Sequence, residues 1–362
     1  MKPWWSLLVG WSCALWFPVA GAQAAQSCGG QPGLPAGAAT GVFRGTVAGQ
    51  PAVLSLGADE RYSYEKTGLD INLEAFHSGQ TLILQESVSD RAAGERRARA
   101  CLRLTPGARG WAGTWTKAGT KVGMPVTLSR LHAAAIPFAL PVTPGLQKLR
   151  RDDPYSFLKI NHAWNRTSDG TSVREPRSGL TYPRLPGESA ALNGALQDRQ
   201  AMHAIAALEC RSGGDWSGMD TDYSLDQGPR FLSAKLLSFL DTADFYCGGA
   251  HPNISQQGVI LDRLTGEALR PDDIWPLLTP GEQHRLYLGS LPAGPGAECR
   301  DLLGSRGQPA YTVSLLRGGL QLIPTDLPHV AQACAEPVVV GYAKLRDLSF
   351  QGQPYFSEFY KP

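Results

Sequence analysis

The chain has 362 residues, of which 43% are hydrophobic and 18% are charged, with 34 Lys and Arg against 32 Asp and Glu. This length is sufficient for two domains with hydrophobic cores. The balanced charge excludes a strongly basic protein. The short basic runs at residues 96–99 and 148–151 are typical of solvated surface or linker. We therefore expect no nucleic-acid partner.

The first residues predict a secretory signal peptide over residues 1–24. Lys2 gives a positive start, residues 4–19 are largely apolar, and Ala22-Gln23-Ala24 is a small-x-small cleavage site. The apolar stretch is short for a membrane span, although an uncleaved anchor is the alternative. We expect a periplasmic or secreted protein that has no membrane span after signal cleavage.

The cysteines also predict export. Cys13 lies in the signal peptide, which leaves an even number with no C-x-x-C spacing, and this favours disulfides over a zinc site. Chain order and the expected domain boundary favour three bridges, namely Cys28–Cys101, Cys210–Cys247 and Cys299–Cys334. We expect no metal and no cofactor.

Residues 25–138 have the pattern of an all-β domain. Apolar residues alternate at Ala52/Leu54/Leu56, at Ile71/Leu73/Ala75 and at Leu82/Leu84, and turn residues separate such runs. This predicts about eight short antiparallel strands, which would form a barrel or a sandwich. If the strands form a barrel, side chains are more often expected to fill it than a ligand.

Residues 139–148 change from apolar to Pro-rich to basic and are predicted as a linker. Residues 149–362 mix strand and helix periods, and we expect an α+β domain with an antiparallel sheet packed by one or two helices. The predicted helices are 188–208 and a second that opens at Thr279-Pro280-Gly281-Glu282. The predicted strands are Leu158–Trp164, Phe231–Tyr246, Tyr311–Leu316, Leu320–Ile323 and Val338–Tyr342.

The most informative run is Tyr246-Cys247-Gly248-Gly249-Ala250-His251-Pro252-Asn253. Adjacent glycines beside a His-Pro pair predict a sharp, specified bend at the end of a strand, because Gly tolerates positive φ and Pro lacks a backbone donor. An L-D-R-L-T-G turn follows at residues 261–266. Further on come Gly319-Leu320, Pro328-His329-Val330 and the segment 338–345.

In this order, these segments resemble the secreted domain found in RsiV-type lysozyme-sensing anti-sigma factors and beside the catalytic domain of the peptidoglycan deacetylase PdaC. The resemblance covers about residues 230–348. In the anti-sigma factors this domain binds lysozyme, and in the deacetylase it is not the catalytic part. Because this sequence has neither an anti-sigma segment nor a deacetylase domain, the resemblance implies an envelope-exposed recognition domain rather than either activity.

The sequence contains no H-E-x-x-H, G-x-S-x-G or G-x-G-x-x-G motif. We therefore expect an exported, non-enzymatic binding protein whose ligand is peptidoglycan, a muramidase or another envelope protein. The candidate binding residues are those of the bend, namely Tyr246, Gly248, Gly249, His251 and Asn253.

The alternative is a cell-wall or ester hydrolase that uses His251 with a nearby carboxylate, since a neutral imidazole can both donate and accept a proton. Five aspartates could supply that carboxylate, namely Asp241, Asp244, Asp262, Asp272 and Asp273. The simpler interpretation of His251 is that it ties the bend to neighbouring backbone. Asp272 and Asp273 more simply cap a helix at Ile274.

Overall fold

The computed structural model describes residues 27–57, 59–90, 95–217, 220–292, 296–305 and 307–361. The predicted signal peptide and its cleavage site lie outside these ranges. Within them, no helix combines the length and the apolar character that crossing a membrane requires.

The first strands of the chain form a closed antiparallel barrel. A two-residue strand, β1 (Gln31–Pro32), comes first. The eight barrel strands are β2 (Gly41–Val47), β3 (Gln50–Leu56), β4 (Arg61–Tyr64), β5 (Asp70–Ser78), β6 (Thr81–Asp90), β7 (Glu95–Gly107), β8 (Gly110–Lys117) and β9 (Gly123–Arg130). Each pairs with the next along the chain, β9 pairs with β2 to close the ring, and β1 adds to β5. The prediction of about eight antiparallel strands is confirmed, and the closure selects the barrel over the sandwich.

Apolar side chains fill the barrel. Leu54, Leu82, Leu84, Leu102 and Leu104 are fully buried there, as the alternation along the strands predicts. They are joined by Phe43, Val47, Ala52, Leu56, Tyr62, Leu73, Trp111, Val126 and Leu128. The barrel interior is therefore a hydrophobic core.

Three helices follow the barrel, namely α1 (Pro144–Asp152), α2 (Pro154–Ile160) and the long α3 (Ala190–Ser217). α1 begins inside the predicted linker, where Thr143 caps it by accepting a hydrogen bond from the backbone N–H of Leu146. The helix predicted for residues 188–208 is confirmed and extends to Ser217.

The strand predicted at Leu158–Trp164 is wrong, because α2 occupies residues 154–160. Asp153 accepts a hydrogen bond from the N–H of Ser156 at 3.0 Å, and Pro154 stands at the first helical position. This combination starts a helix. Phe157 and Ile160 then lie on one buried face, so the apolar spacing also fits a helical period.

The remaining strands form three antiparallel sheets. One contains β10 (Asn165–Arg166), β11 (Ser172–Arg174) and β12 (Thr181–Pro183). The second contains β13 (Asp222–Gln227), β14 (Phe231–Leu232), β15 (Leu236–Tyr246) and β16 (Asn253–Asp262), and the third contains β17 (Tyr311–Leu316), β18 (Gly319–Pro324) and β19 (Val338–Val340). In the second sheet β15 is central, and its side chains Leu237 and Phe239 pack against α3 residues Leu192 and Leu196.

Shorter helices complete the C-terminal part of the chain. They are α4 (Pro271–Ile274), α5 (Pro280–Ser290), α6 (Gly296–Ser305) and α7 (Phe356–Phe359), with 3-10 helices at Ala133–Ala135, His329–Cys334 and Tyr342–Leu348. α5 begins as predicted, since Thr279 accepts a hydrogen bond from the N–H of Glu282. α4 begins at Pro271, and Asp273 in its first turn accepts a hydrogen bond from the N–H of Arg270. That residues 149–362 are a separate α+β domain stays a prediction.

All three disulfides predicted from chain order are present. They are Cys28–Cys101, Cys210–Cys247 and Cys299–Cys334, with sequence separations of 73, 37 and 35. Structural disulfides persist in oxidising compartments, so the three bridges indicate a protein that works outside the cytoplasm.

A buried ionic contact joins the barrel to the helices. Asp70 of β5 accepts hydrogen bonds from Lys159 at 2.6 Å and from Tyr155 at 2.7 Å, and both partners lie on α2. The backbone N–H of Asp70 also donates to Ser212 Oγ of α3. The side chains of Lys159 and Asp70 are only 1% and 4% exposed, so each charge depends on the other for compensation.

Candidate binding cleft and the polar network beside it

The predicted bend connects the central strand β15 to β16. Gly248 and Gly249 have φ values of 84° and 153°, a backbone region that side chains disfavour. Tyr246 Oη donates to the carbonyl of Gly249 at 3.0 Å, and Asn253 Nδ2 donates to the carbonyl of His251 at 3.3 Å. His251 is exposed, and its Nδ1 lies 2.9 Å from the carbonyl oxygen of Pro252.

The five predicted site residues therefore lie together, and those with hydrogen-bonding side chains contact the backbone of the bend itself. This agrees with the interpretation that His251 ties the bend to neighbouring backbone. The disulfide from Cys247 to Cys210 attaches the bend to α3. Gly213 of α3 permits this approach, because a Cβ there would lie only 2.5 Å from the carbonyl oxygen of Cys247.

Immediately after the bend, residues 254–257 of β16 form one wall of a cleft of about 690 Å³. The other wall is the loop 324–327, which follows β18, together with Gln332 and Ala335 at the 3-10 helix. Within the described ranges, β15 is the only strand that pairs with β16. Residues 254–257 therefore have no paired strand on their second edge, and just beyond them the backbone N–H of Gly258 donates to Thr312 Oγ1 of β17 at 2.6 Å.

Amide and hydroxyl groups dominate the polar lining of this cleft. They come from Ser255, Gln256, Gln257, Thr325 and Gln332, with a single carboxylate from Asp326. Apolar surface is present as well, since Ile254 is 67% exposed at the cleft wall. Amides and hydroxyls both donate and accept hydrogen bonds, so this lining suits a ligand that carries the same groups.

A buried polar network lies on the α3 side of the sheet and reaches the cleft at Gln257. Its centre is Asp241 of β15, which is 1% exposed. Its carboxylate accepts hydrogen bonds from Arg199 at 2.6 Å and from Tyr182 at 2.8 Å, and it lies 3.3 Å from His203 Nε2. His203 Nδ1 lies 3.1 Å from the hydroxyl of Tyr223.

The network keeps Asp241 ionised. Burial alone would disfavour the carboxylate, but the hydrogen bond to His203 and the positive charge of Arg199 outweigh it and hold the pKa of Asp241 below its ordinary value. Burial next to this charge raises the pKa of Tyr182 and Tyr223, which stay neutral donors. Arg199 also donates to Gln257 Oε1 at 3.1 Å, and this contact connects the network to the cleft.

Four of the five aspartates proposed as partners of His251 are engaged elsewhere. Asp241 lies in the network on the α3 face of β15. Asp262 accepts hydrogen bonds from Tyr355 and from the turn residue Thr265, and Asp272 and Asp273 pair with Arg270. The fifth, Asp244, is exposed on β15 opposite Ile254.

Sequence patterns did not single out the network. Its partial signal is the spacing of Arg199 and His203, which lie four residues apart on a helix and therefore share one face. Their acceptor Asp241 comes about 40 positions later, so only the packing of α3 on β15 shows the connection.

No protein-family model matches the chain, and no curated protein matches it significantly. Across the described residues, no group of three or more His, Cys, Asp or Glu side chains is placed to hold a metal ion.

Proposed function

We propose that this chain is an exported, non-enzymatic binding protein of the cell envelope, periplasmic or secreted, which binds peptidoglycan, a muramidase or another envelope protein. The observation that carries the proposal is the cleft of about 690 Å³ between β16 and the loop 324–327. The glycine bend belongs to the segment that resembles the anti-sigma and deacetylase domains. In the sequence it lies immediately before the residues of β16 that form the cleft wall.

The chemistry of the cleft supports an extended, uncharged polar ligand. An exposed strand edge can pair with the backbone of an extended peptide, while side-chain amides fix its register. The same amides and hydroxyls are complementary to the N-acetyl groups and hydroxyls of a glycan. Peptidoglycan and a loop of a protein ligand both present such groups.

The positions of the titratable groups favour binding over hydrolysis. Asp241 and His203 have the types of group that acid–base catalysis requires, but Asp241 is 1% exposed and is bound by Arg199 and Tyr182. A catalytic carboxylate must reach its substrate within hydrogen-bonding distance. This network therefore supports a role in holding α3, the sheet and Gln257 in place.

The test is a pull-down from envelope extract, with purified peptidoglycan and lysozyme as separate additional baits. We expect wild-type protein to bind at least one of the two baits and Gln332→Trp to lose that binding, because the indole would occupy the cleft. Gln147→Trp is the matched control, since Gln147 is exposed on α1, away from the cleft. Equal binding by both variants would refute the cleft as the site, and turnover of either bait would refute a non-enzymatic role.

A further inference from the structure

A second cavity, of about 230 Å³, lies at the end of the barrel where β4 ends and β5 begins. The long helix α3 packs against β5 and β6 there, and its Ser212 contributes to the lining. The volume is slightly below the range usual for drug-sized ligands, so it suits a smaller molecule.

Glu86 of β6 lines this cavity although it is only 3% exposed. Its Oε1 accepts hydrogen bonds from Tyr62 Oη at 2.7 Å and from Trp115 Nε1 at 2.5 Å. Its second oxygen, Oε2, has no hydrogen-bond partner among the described residues. Oε2 is not among the fully buried side-chain atoms that lack a partner, so it is open to the cavity and available to accept a hydrogen bond from a ligand.

Arg99 of β7 lines the same cavity because of a β-bulge. Glu86 pairs with Ala100 and Ser87 pairs with Ala98, so Arg99 is the extra residue of the bulge. A bulge redirects a side chain relative to regular strand alternation and is common at barrel rims. In the described ranges, no ion pair joins Arg99 to Glu86 or to another acid.

The remaining acid of the cavity is already compensated. Asp70 lines it as well, but its carboxylate pairs with Lys159 at 2.6 Å and with Arg61 at 3.3 Å. The charges left for a ligand are therefore one carboxylate, on Glu86, and one guanidinium, on Arg99. Both face one small cavity whose other walls include apolar Leu69 and Ile71.

We propose that this end of the barrel binds a small zwitterion of the amino-acid class. Its ammonium group would donate to Glu86, and its carboxylate would accept from Arg99. A guanidinium suits a carboxylate because its planar fork can donate two parallel hydrogen bonds. The site is separate from the cleft at β16 and does not depend on what binds there.

The test is isothermal titration calorimetry of the whole protein with glycine, L-alanine and D-alanine, and with ethylamine and propionate as single-charge probes. We expect saturable binding of at least one zwitterion and at least tenfold weaker binding of both single-charge probes. Glu86→Gln and Arg99→Gln should each weaken zwitterion binding at least tenfold. Arg109→Gln, at an exposed arginine beyond the opposite end of β7, should leave it unchanged.

Three results would overturn the proposal. They are no binding of any of the three amino acids, equal affinity for ethylamine, and unchanged affinity in Arg99→Gln. Because Arg99 is exposed, its replacement should not affect folding. That variant therefore decides the question even if Glu86→Gln destabilises the barrel.

Discussion

Arg199 and Asp241 form an ion pair with 2.6 Å between Nη2 and Oδ2, where α3 packs on β15. The carboxylate is fully buried and the guanidinium is 15% exposed. Through the same nitrogen, Arg199 also reaches Gln257 at the cleft. This pair therefore joins the long helix, the central strand and the proposed binding surface.

Removing the carboxylate of Asp241 should destabilise the folded protein. Asp241→Ala removes the carboxylate that Arg199 and Tyr182 share, and we expect the free energy of unfolding to fall by about 3 kcal/mol, as for other broken buried pairs. Chemical denaturation measures this loss. Asp244→Ala is the matched control on the exposed face of the same strand and should change stability by less than about 0.5 kcal/mol. Equal losses in the two variants would contradict the assigned role of Asp241.

The lowered pKa of Asp241 also sets the direction in which folding stability should change with pH. Because the folded protein lowers the pKa of Asp241, the unfolded state takes up the proton first as pH falls, and folding then loses stability. The quantity to follow is the difference in stability between wild type and Asp241→Asn. It should shrink below about pH 4, near the unfolded pKa of Asp. Denaturation curves across this pH range measure the stability difference. A difference that grows as the pH falls would contradict the role assigned to Asp241.

The bend should tolerate no side chain at Gly248. Its φ of 84° is unfavourable for β-branched residues, so Gly248→Val should cost about 1–3 kcal/mol through backbone strain. Gly352→Val is the control, since a Cβ at Gly352 would meet no atom within 4 Å and its φ lies outside the strained region. Thermal melts of the two variants give the comparison. If Gly248→Val has the same melting temperature as Gly352→Val, Gly248 is not needed for the backbone conformation of the bend.

Local sequence signals predicted much of the barrel. Alternation such as Leu82/Leu84 and Leu102/Leu104 locates strands, and each hairpin then follows from short turns. The closure of the barrel could not be predicted from local signals, because β2 and β9 pair across about 80 residues, for example Gly45 with Leu128. Such a contact depends on the twist of the whole sheet.

The features that the sequence did not predict have similar causes. Leu158 and Ile160 fit a strand period, but the start signal at Asp153 and Pro154 and the burial of Phe157 favoured a helix. Glu86 was not among the residues predicted from the sequence, because Tyr62 and Trp115 reach it from other strands. The glycine bend was found because its constraint is local: a positive φ demands glycine wherever the rest of the chain lies.

Amide hydrogen exchange tests most directly whether the cleft beside β16 binds an envelope ligand. The whole protein would be labelled alone, with purified peptidoglycan and with lysozyme. We expect slower exchange at residues 253–257 and 324–327 with at least one of the two ligands, and no such change in Gln332→Trp. Exchange at these segments that neither ligand alters, or protection confined to other parts of the chain, would contradict it.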